Sequence, residues 1–227
     1  MSELLELFNQ FHILDAFWMT IKISLLGMAG ALVIGIVIAI MRVSPISVFQ
    51  IFAKVYVSLC INLPLTLVVF FAFFVMFLLL GVHLAPPGSR NATEAFMWGV
   101  VAVAVYHSGF VAEAIRSGIN TVPMGQAEAA RAIGLTFGQT LTQVVLPQAM
   151  RGAISPLGTT ANSLVKNTTV LATIGVAEAS YQMANMIEFR SDALYAIFFI
   201  MAAGFVILTL PLNVFFTRLA NRLAVTR

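Results

Sequence analysis

Charge is scarce in this sequence. Only 9% of its 227 residues are Asp, Glu, Lys or Arg, while 60% are apolar. A soluble domain of this size carries about a quarter of its residues as charges. A chain with so few charges cannot cover a water-facing surface, so a soluble monomeric enzyme is excluded. The composition predicts one all-α domain over residues 1–227 that is embedded in a lipid bilayer.

The residues that build metal, disulfide or nucleotide sites are also few. A single cysteine, Cys60, excludes an intrachain disulfide and a cysteine metal cluster. The histidines are too dispersed along the chain for a metal site: His12, His83 and His107. No Gly-x-x-x-x-Gly-Lys-Ser/Thr phosphate loop occurs, so ATP hydrolysis is not expected in this chain. The net charge of +3 comes from scattered basic residues, which argues against a nucleic-acid partner. The first residues are acidic and do not resemble a secretory signal.

Long apolar runs are what the sequence has instead. They cover about 13–41, 58–82, 95–114, 154–179 and 193–216, and a spanning helix needs about 20 residues. Residues 3–11 alternate apolar and polar side chains with a helical period, which is typical of an amphipathic helix at the membrane interface. The prediction is five transmembrane helices preceded by an outer amphipathic helix.

The basic residues predict the orientation of these spans, because cytoplasmic loops are enriched in Lys and Arg. With the N-terminus outside and the C-terminus inside, two arginines fall in outer loops, Arg90 and Arg190. Two lysines, Lys22 and Lys166, fall within spans. The other basic residues all fall on the cytoplasmic side: Arg42, Lys54, Arg116, Arg131, Arg151, Arg218, Arg222 and Arg227.

The polar stretch 117–149 is long for a connection, and its sequence predicts two short helices. Pro123 is suited to the start of a helix, and Gly134 to its end. Thr136 and Gln139 form a capping-box pattern that opens the second helix. Pro147 is expected to stop that helix.

Three segments resemble a known family. Residues 125–130 read Gly-Gln-Ala-Glu-Ala-Ala and are followed by Gly134, Val144, Leu146 and Pro147, which is similar to the EAA loop of ABC-importer permeases. Residues 113–119, Glu-Ala-Ile-Arg-Ser-Gly-Ile, resemble the segment before this loop in the polar amino acid subfamily, with Ser117 in place of a glycine. Residues 162–169, Asn-Ser-Leu-Val-Lys-Asn-Thr-Thr, resemble the segment after it, with Asn167 in place of an acid.

The resemblance implies a permease of a bacterial plasma-membrane importer. In such an importer a second permease subunit completes the pathway, and it is either a sister chain or a second copy of the same chain. Two cytoplasmic ATPases bind ATP and Mg, and an external protein delivers the amino acid. The permease itself holds no cofactor. The loop would dock on the ATPase through Gly125, Gln126, Glu128, Ala129, Ala130, Arg131, Gly134, Leu146 and Pro147. A self-packed hairpin with solvated charges is the alternative.

The pathway is expected to follow a line of polar residues in the fourth span. Its candidates are His107 from the third span together with Asn162, Ser163, Lys166, Asn167, Thr168 and Thr169. A charge at the centre of a span costs about 2.5–3.5 kcal/mol. Lys166 is therefore expected either to face a substrate carboxylate or to be a structural tether to an acid or to helix-end carbonyls. His107 is open between a pathway role and an interhelical hydrogen bond.

Two further charges have candidate roles. Glu113, near the inner end of the third span, is expected to form a cytoplasmic gate by pairing with an arginine, with Arg116 as the nearest candidate. Lys22 is expected to snorkel to the outer interface, or to pair with Asp15 two turns earlier.

The substrate is predicted less sharply than the class of transporter. Lysines within the membrane and Asn167 favour glutamate or glutamine, with basic amino acids as the alternative. A stand-alone channel or secondary transporter is the competing class, but it offers no reason for a docking loop. A membrane enzyme would need paired catalytic groups, and the sequence shows none.

Overall fold

The computed structural model describes residues 11–223, which form helices and no strand. The α-helices, in chain order, are α1 (Ile13–Val43), α2 (Ser47–Asn62), α3 (Leu65–Phe70), α4 (Asn91–Ile119), α5 (Met124–Ala132), α6 (Phe137–Gln139), α7 (Leu146–Asn167), α8 (Ala179–Phe189) and α9 (Leu194–Leu223). The π-helical segments Phe71–Leu79 and Thr140–Val145 extend α3 and α6, and the 3-10 segments Thr168–Ile174 and Ser191–Ala193 lie on either side of α8. The predicted amphipathic helix falls on the opening residues, most of which lie outside the described range.

The all-helical membrane architecture is confirmed. Three segments are long and apolar enough to cross a bilayer, namely Ile13–Val43, Asn91–Ile119 and Ser191–Leu223. A fourth crossing is present if the bent pair Ser47–Asn62 and Leu65–Leu79 counts as one span. The helix in the region of the predicted fourth span, α7, is not in this group because polar side chains are spread along it.

The predicted second span is two helices rather than one straight helix. Helical structure begins at Ser47, well before the predicted start at residue 58, and the chain bends by 105° between α2 and α3. Leu63 is extended at the bend (φ −79°, ψ 139°) and Pro64 precedes α3 as its N-cap. A residue before proline is driven out of the helical conformation, so the Leu63–Pro64 pair accounts for the break.

The centre of the fold is the contact between α1 and α4. Gly27, Ala31 and Gly35 recur every four residues on α1 and are buried, and the first and last of them face Val103 and Val111 of α4. Small residues at this spacing let two helices approach closely. The predicted third span, 95–114, lies within the longer helix α4, Asn91–Ile119. Helix α7 also packs against α4.

A buried carboxylate orders the loop before α4. Glu94 has 3% of its surface exposed. It accepts hydrogen bonds from the backbone N–H groups of Leu84 (3.1 Å) and Ala85 (3.3 Å) and pairs with His83 Nδ1 at 3.0 Å. These contacts satisfy a carboxylate that burial would otherwise destabilise.

Candidate functional site

The stretch between α4 and α7 folds as a helical hairpin, here called the hairpin (residues 120–145). Its first arm is α5, which follows Pro123 and ends at Ala132. Gly134 then adopts φ +93°, a left-handed conformation that glycine tolerates without strain. The predicted first helix and its end near Gly134 are confirmed.

The second arm of the hairpin opens with the predicted capping box. The Gln139 backbone N–H donates to Thr136 Oγ1 at 3.3 Å, and the Thr136 backbone N–H donates to Gln139 Oε1 at 2.9 Å. Two N–H groups that a helix start leaves unpaired are thereby satisfied.

The expected stop at Pro147 is wrong. Helical structure passes from the π-helical segment into α7 without an interruption, since Val145 has helical angles (φ −78°, ψ −53°). Pro147 is the second residue of α7, which follows directly on the π-helical segment Thr140–Val145, so the irregular hydrogen bonding of that segment coincides with the missing N–H of the proline. The second arm of the hairpin and α7 therefore form one uninterrupted helical segment over residues 140–167, here called the rod, which contains Pro156.

Most of the predicted docking residues lie on the surface of the hairpin. Ala130 is the exception, with 5% of its surface exposed because it faces the second arm. Met124 and Ile133 flank the first arm with 80% and 81% of their surfaces exposed. The exposed members of the predicted set are Gly125, Gln126, Glu128, Ala129, Arg131, Gly134 and Pro147, and Leu146 is half-buried.

The base of the hairpin is clamped at a close helix crossing. A side chain on Gly118, near the end of α4, would overlap the backbone carbonyl oxygen of Ala149 on α7. A side chain on Gly152 would overlap Thr121 Oγ1. The backbones of α4 and α7 therefore touch directly where the rod leaves the hairpin.

An ion-pair cluster lies one helical turn above this crossing. Glu113 accepts from Arg42 Nη1 at 2.5 Å and from Arg116 Nε at 2.9 Å. The predicted pairing of Glu113 with an arginine is confirmed, and Arg42 adds a second partner from α1. The cluster ties the C-terminal end of α1 to α4 within one subunit.

A polar groove lies between α7 and α9. Its volume is about 480 Å³. It gathers three of the predicted pathway residues, Asn162, Ser163 and Lys166, and its full lining is Thr159, Asn162, Ser163, Lys166, Val206, Thr209, Leu210 and Asn213. Asn162 Nδ2 donates to Asn213 Oδ1 at 3.4 Å across the groove, which leaves Asn162 Oδ1 as a buried acceptor without a partner.

Lys166 is exposed to this groove. Among residues 11–223, no carboxylate lies within ion-pair distance of its ammonium. No helix-end carbonyl in that range accepts a hydrogen bond from it either. Neither form of the structural tether has a partner in the described chain.

His107 and Asn167 do not line the groove. His107 has 1% of its surface exposed and contacts the Val103 carbonyl through Nδ1 at 2.9 Å. Since a carbonyl only accepts, Nδ1 carries the proton. Nε2 is then an acceptor, and Asn167 Nδ2 donates to it at 3.2 Å. The pair is an interhelical hydrogen bond between α4 and α7, which was the alternative open for His107.

The last two predicted pathway residues and Lys22 also lie elsewhere. Thr168 is fully buried and Thr169 donates to the Lys166 carbonyl at 2.8 Å. Lys22 is half-buried on α1. Asp15 contacts His12 Nδ1 at 3.5 Å rather than Lys22.

Two groove residues were missed at the level of sequence. Thr209 and Asn213 are polar interruptions, four residues apart, in the otherwise apolar run of α9. That spacing places them on one face of α9, and it is the sequence pattern that indicates a polar face on this helix.

The comparisons with known proteins agree with this architecture. The family described as "Binding-protein-dependent transport system inner membrane component" matches residues 31–225. The glutamate transport system permease protein GluC of Corynebacterium glutamicum is 45% identical over 219 residues, which cover 95% of both chains. The probable glutamine ABC transporter permease protein GlnM of Bacillus subtilis is 33% identical over 218 residues, which cover 96% of both chains.

Solved structures show the same fold. A chain of a crystal structure titled as an amino acid ABC transporter with histidines superposes with a TM-score of 0.80 at 26% identity and covers 95% of each chain. With the family match, this likeness settles the class of protein. The chain belongs to the binding-protein-dependent transport system inner membrane components: it is an ABC-transporter permease of the inner membrane, which holds no cofactor and leaves ATP hydrolysis to a partner ATPase.

Proposed function

We propose that this permease imports glutamate or glutamine. The permeases that it resembles at 45% and 33% identity are named for glutamate and glutamine transport. The groove offers a lysine ammonium that has no carboxylate partner in the described chain, together with the amides of Asn162 and Asn213. An ammonium binds a substrate carboxylate, and the amide groups have further donor and acceptor positions for the polar end of a substrate.

The groove is proposed as the part of the pathway that this subunit supplies. Thr159, Asn162, Ser163 and Lys166 share one face of α7, and Thr209 and Asn213 face them from α9. His107, Asn167 and Thr168 support this face from behind. The observation that carries the assignment is that Lys166 lies in a polar groove with no partner among residues 11–223, since an ionisable residue within the membrane is a functional-site candidate.

The hairpin is proposed as the docking element for the ATPase. Small exposed residues such as Ala129 allow close approach, the exposed Met124 and Ile133 supply apolar contact, and Glu128 and Arg131 offer charged donors and acceptors. A self-packed hairpin gives no reason for two large apolar side chains at about 80% exposure.

Coupling follows from the continuity of the rod. The second arm of the hairpin and the groove residues of α7 lie on the same helix, residues 140–167. A displacement of the hairpin by the ATPase would therefore move Asn162 and Lys166 with it. The clamp at Gly118 passes part of that displacement to α4, and the Glu113 cluster holds α4 to α1. In this account Glu113 and Arg116 act as a brace, and opening or closing a cytoplasmic gate is their additional proposed role.

The membrane topology is proposed as five crossings with the N-terminus outside. The bent pair α2–α3 counts as one crossing, and α7 crosses beside the pathway, where its polar face is not exposed to lipid. The excess of Lys and Arg on one side supports the orientation. With the ATPase and the binding protein that the family implies, a second permease subunit would close the groove from the other side, either a sister chain or a second copy of this one.

Substrate competition tests the function. Proteoliposomes that hold the assembled complex and the binding protein are loaded with ATP, and uptake of labelled glutamate or glutamine is measured. Unlabelled glutamate and glutamine should compete with this uptake, and arginine should not. Competition by arginine without competition by glutamate or glutamine would contradict the proposed substrate class and favour basic amino acids.

A further inference from the structure

The cytoplasmic half of α9 carries a further cavity, which begins next to the polar groove but lies on another side of the helix. It has a volume of about 410 Å³, and its lining is Pro211, Val214, Phe215, Arg218, Leu219 and Arg222. These positions are spaced by three and four residues, so they form one face of α9. The face is apolar at one end and doubly cationic at the other.

The two cations of this face are Arg218 and Arg222. Arg218 and Arg222 lie one turn apart and are both exposed. Neither forms an ion pair within the part of the chain that the structure describes. Two guanidinium groups at this spacing present several N–H donors to a single anion.

The face points away from the rest of the subunit. At 3.6 residues per turn, Phe215 and Arg218 lie about 140–160° around α9 from Asn213, which lines the polar groove. Phe216 packs on α7 at Gly158 and therefore does not belong to the face that carries Arg218. Pro211, Val214 and Phe215 are all exposed on this side of α9, so no other element of the described chain covers it.

We propose that this face, here called the Arg218 face, is a binding site for an anionic phospholipid. The phosphodiester lies between Arg218 and Arg222, and one acyl chain follows the apolar surface of Phe215, Val214 and Pro211 towards the membrane centre. Charge complementarity selects the headgroup, because a phosphate is the natural partner of paired arginines. The length of the apolar stripe below the arginines selects a lipid over a soluble phosphate.

Lipid retention tests the site. The assembled complex is purified with phosphatidylglycerol and phosphatidylcholine present, and the lipids that remain bound are counted by native mass spectrometry. The variant Arg218→Gln/Arg222→Gln is compared with Lys54→Gln/Arg151→Gln, which removes two exposed basic charges outside the face. The first variant should retain about tenfold less phosphatidylglycerol, while the second retains as much as the unchanged chain, and phosphatidylcholine does not change in either.

A second variant keeps the test independent of charge. Phe215→Ser should also lower retention of phosphatidylglycerol, because it removes the acyl contact and leaves both arginines. Inorganic phosphate at millimolar concentration should displace none of the lipid. Equal retention in the two double variants would mean a general surface charge effect and overturn the site. Loss of the ATPase or of the second permease from Arg218→Gln/Arg222→Gln, with retention unchanged, would show a protein contact instead and also overturn it.

Discussion

The hairpin and the polar groove are held together by different kinds of interaction. The hairpin is built from contacts between residues close in sequence, such as the capping box of Thr136 and Gln139 and the left-handed Gly134. The groove requires two helices that are distant in sequence, since Asn162 and Asn213 meet across it. Short-range interactions therefore determine the hairpin, which we propose as the docking element, and tertiary packing determines the groove, which we propose as part of the pathway.

The largest effect is expected from filling the docking surface. Ala129→Trp places a large side chain at an exposed position of α5 that close docking requires to be small. Copurification of the ATPase with the permease should fall at least about tenfold, which is about 1.4 kcal/mol, and uptake should be lost with it. Gln143→Trp, at an exposed position of the second arm, is the matched control. An equal loss of ATPase copurification in Ala129→Trp and Gln143→Trp would show that the first arm has no special role in docking.

Replacement of the groove charge is expected to separate transport from docking. Lys166→Met removes the ammonium and keeps the apolar stem, so uptake should fall about tenfold or more. ATPase copurification should stay unchanged. Lys54→Met is the control, since Lys54 is exposed outside the groove. Failure of the Lys166→Met complex to assemble would favour the structural tether over the substrate contact.

The clamp between the two regions predicts an effect on stability. Gly118→Ala adds a methyl group that overlaps the Ala149 carbonyl oxygen, and overpacking of this kind costs about 1–3 kcal/mol. The apparent Tm of the purified permease should fall. Gly138→Ala is the control, because its added methyl group meets no neighbour and gains the same helix propensity. An equal decrease in the apparent Tm of both variants would show that the close crossing at Gly118 has no special effect on stability.

The smallest effect is expected at the cap. Thr136→Ala removes the Oγ1 acceptor of the capping box, at a cost of about 1 kcal/mol to the second arm. Amide hydrogen exchange over 137–141 should become severalfold faster, and uptake should change little. Thr142→Ala removes a hydroxyl that bonds only to the Gly138 carbonyl, and no such change is expected there. Unchanged exchange in Thr136→Ala would show that the second arm depends on tertiary contacts instead.

The sequence predicted what short-range chemistry determines. The helix end near Gly134, the capping box and the pairing of Glu113 with an arginine all follow from residues a few positions apart. The membrane class follows from composition. The expected stop at Pro147 is wrong because the chain stays helical through the π-helical segment before it, and sequence alone does not predict a π-helical segment that accommodates a proline.

The groove shows the limit of that reasoning. Lys166, Asn162 and Ser163 were identified as a polar line, but a line on a helix does not reveal which side faces a partner. His107 and Asn167 have the same polarity and depth, yet they pair with each other and are removed from the pathway. The contribution of α9 depended on how α9 crosses α7, where Phe216 packs over Gly158.

Distance measurement along the rod tests the central claim most directly. With Cys60 replaced by Ala, spin labels at Gln143 and Ser163, both exposed, should lie roughly 30 Å apart, because most of the residues between them are α-helical and rise 1.5 Å each. The account predicts the same separation, within about 2 Å, in the assembled complex without nucleotide and with ATP trapped. A change of about one helical turn, 5.4 Å or more, would show a hinge in the rod and contradict direct transmission from the hairpin to the groove.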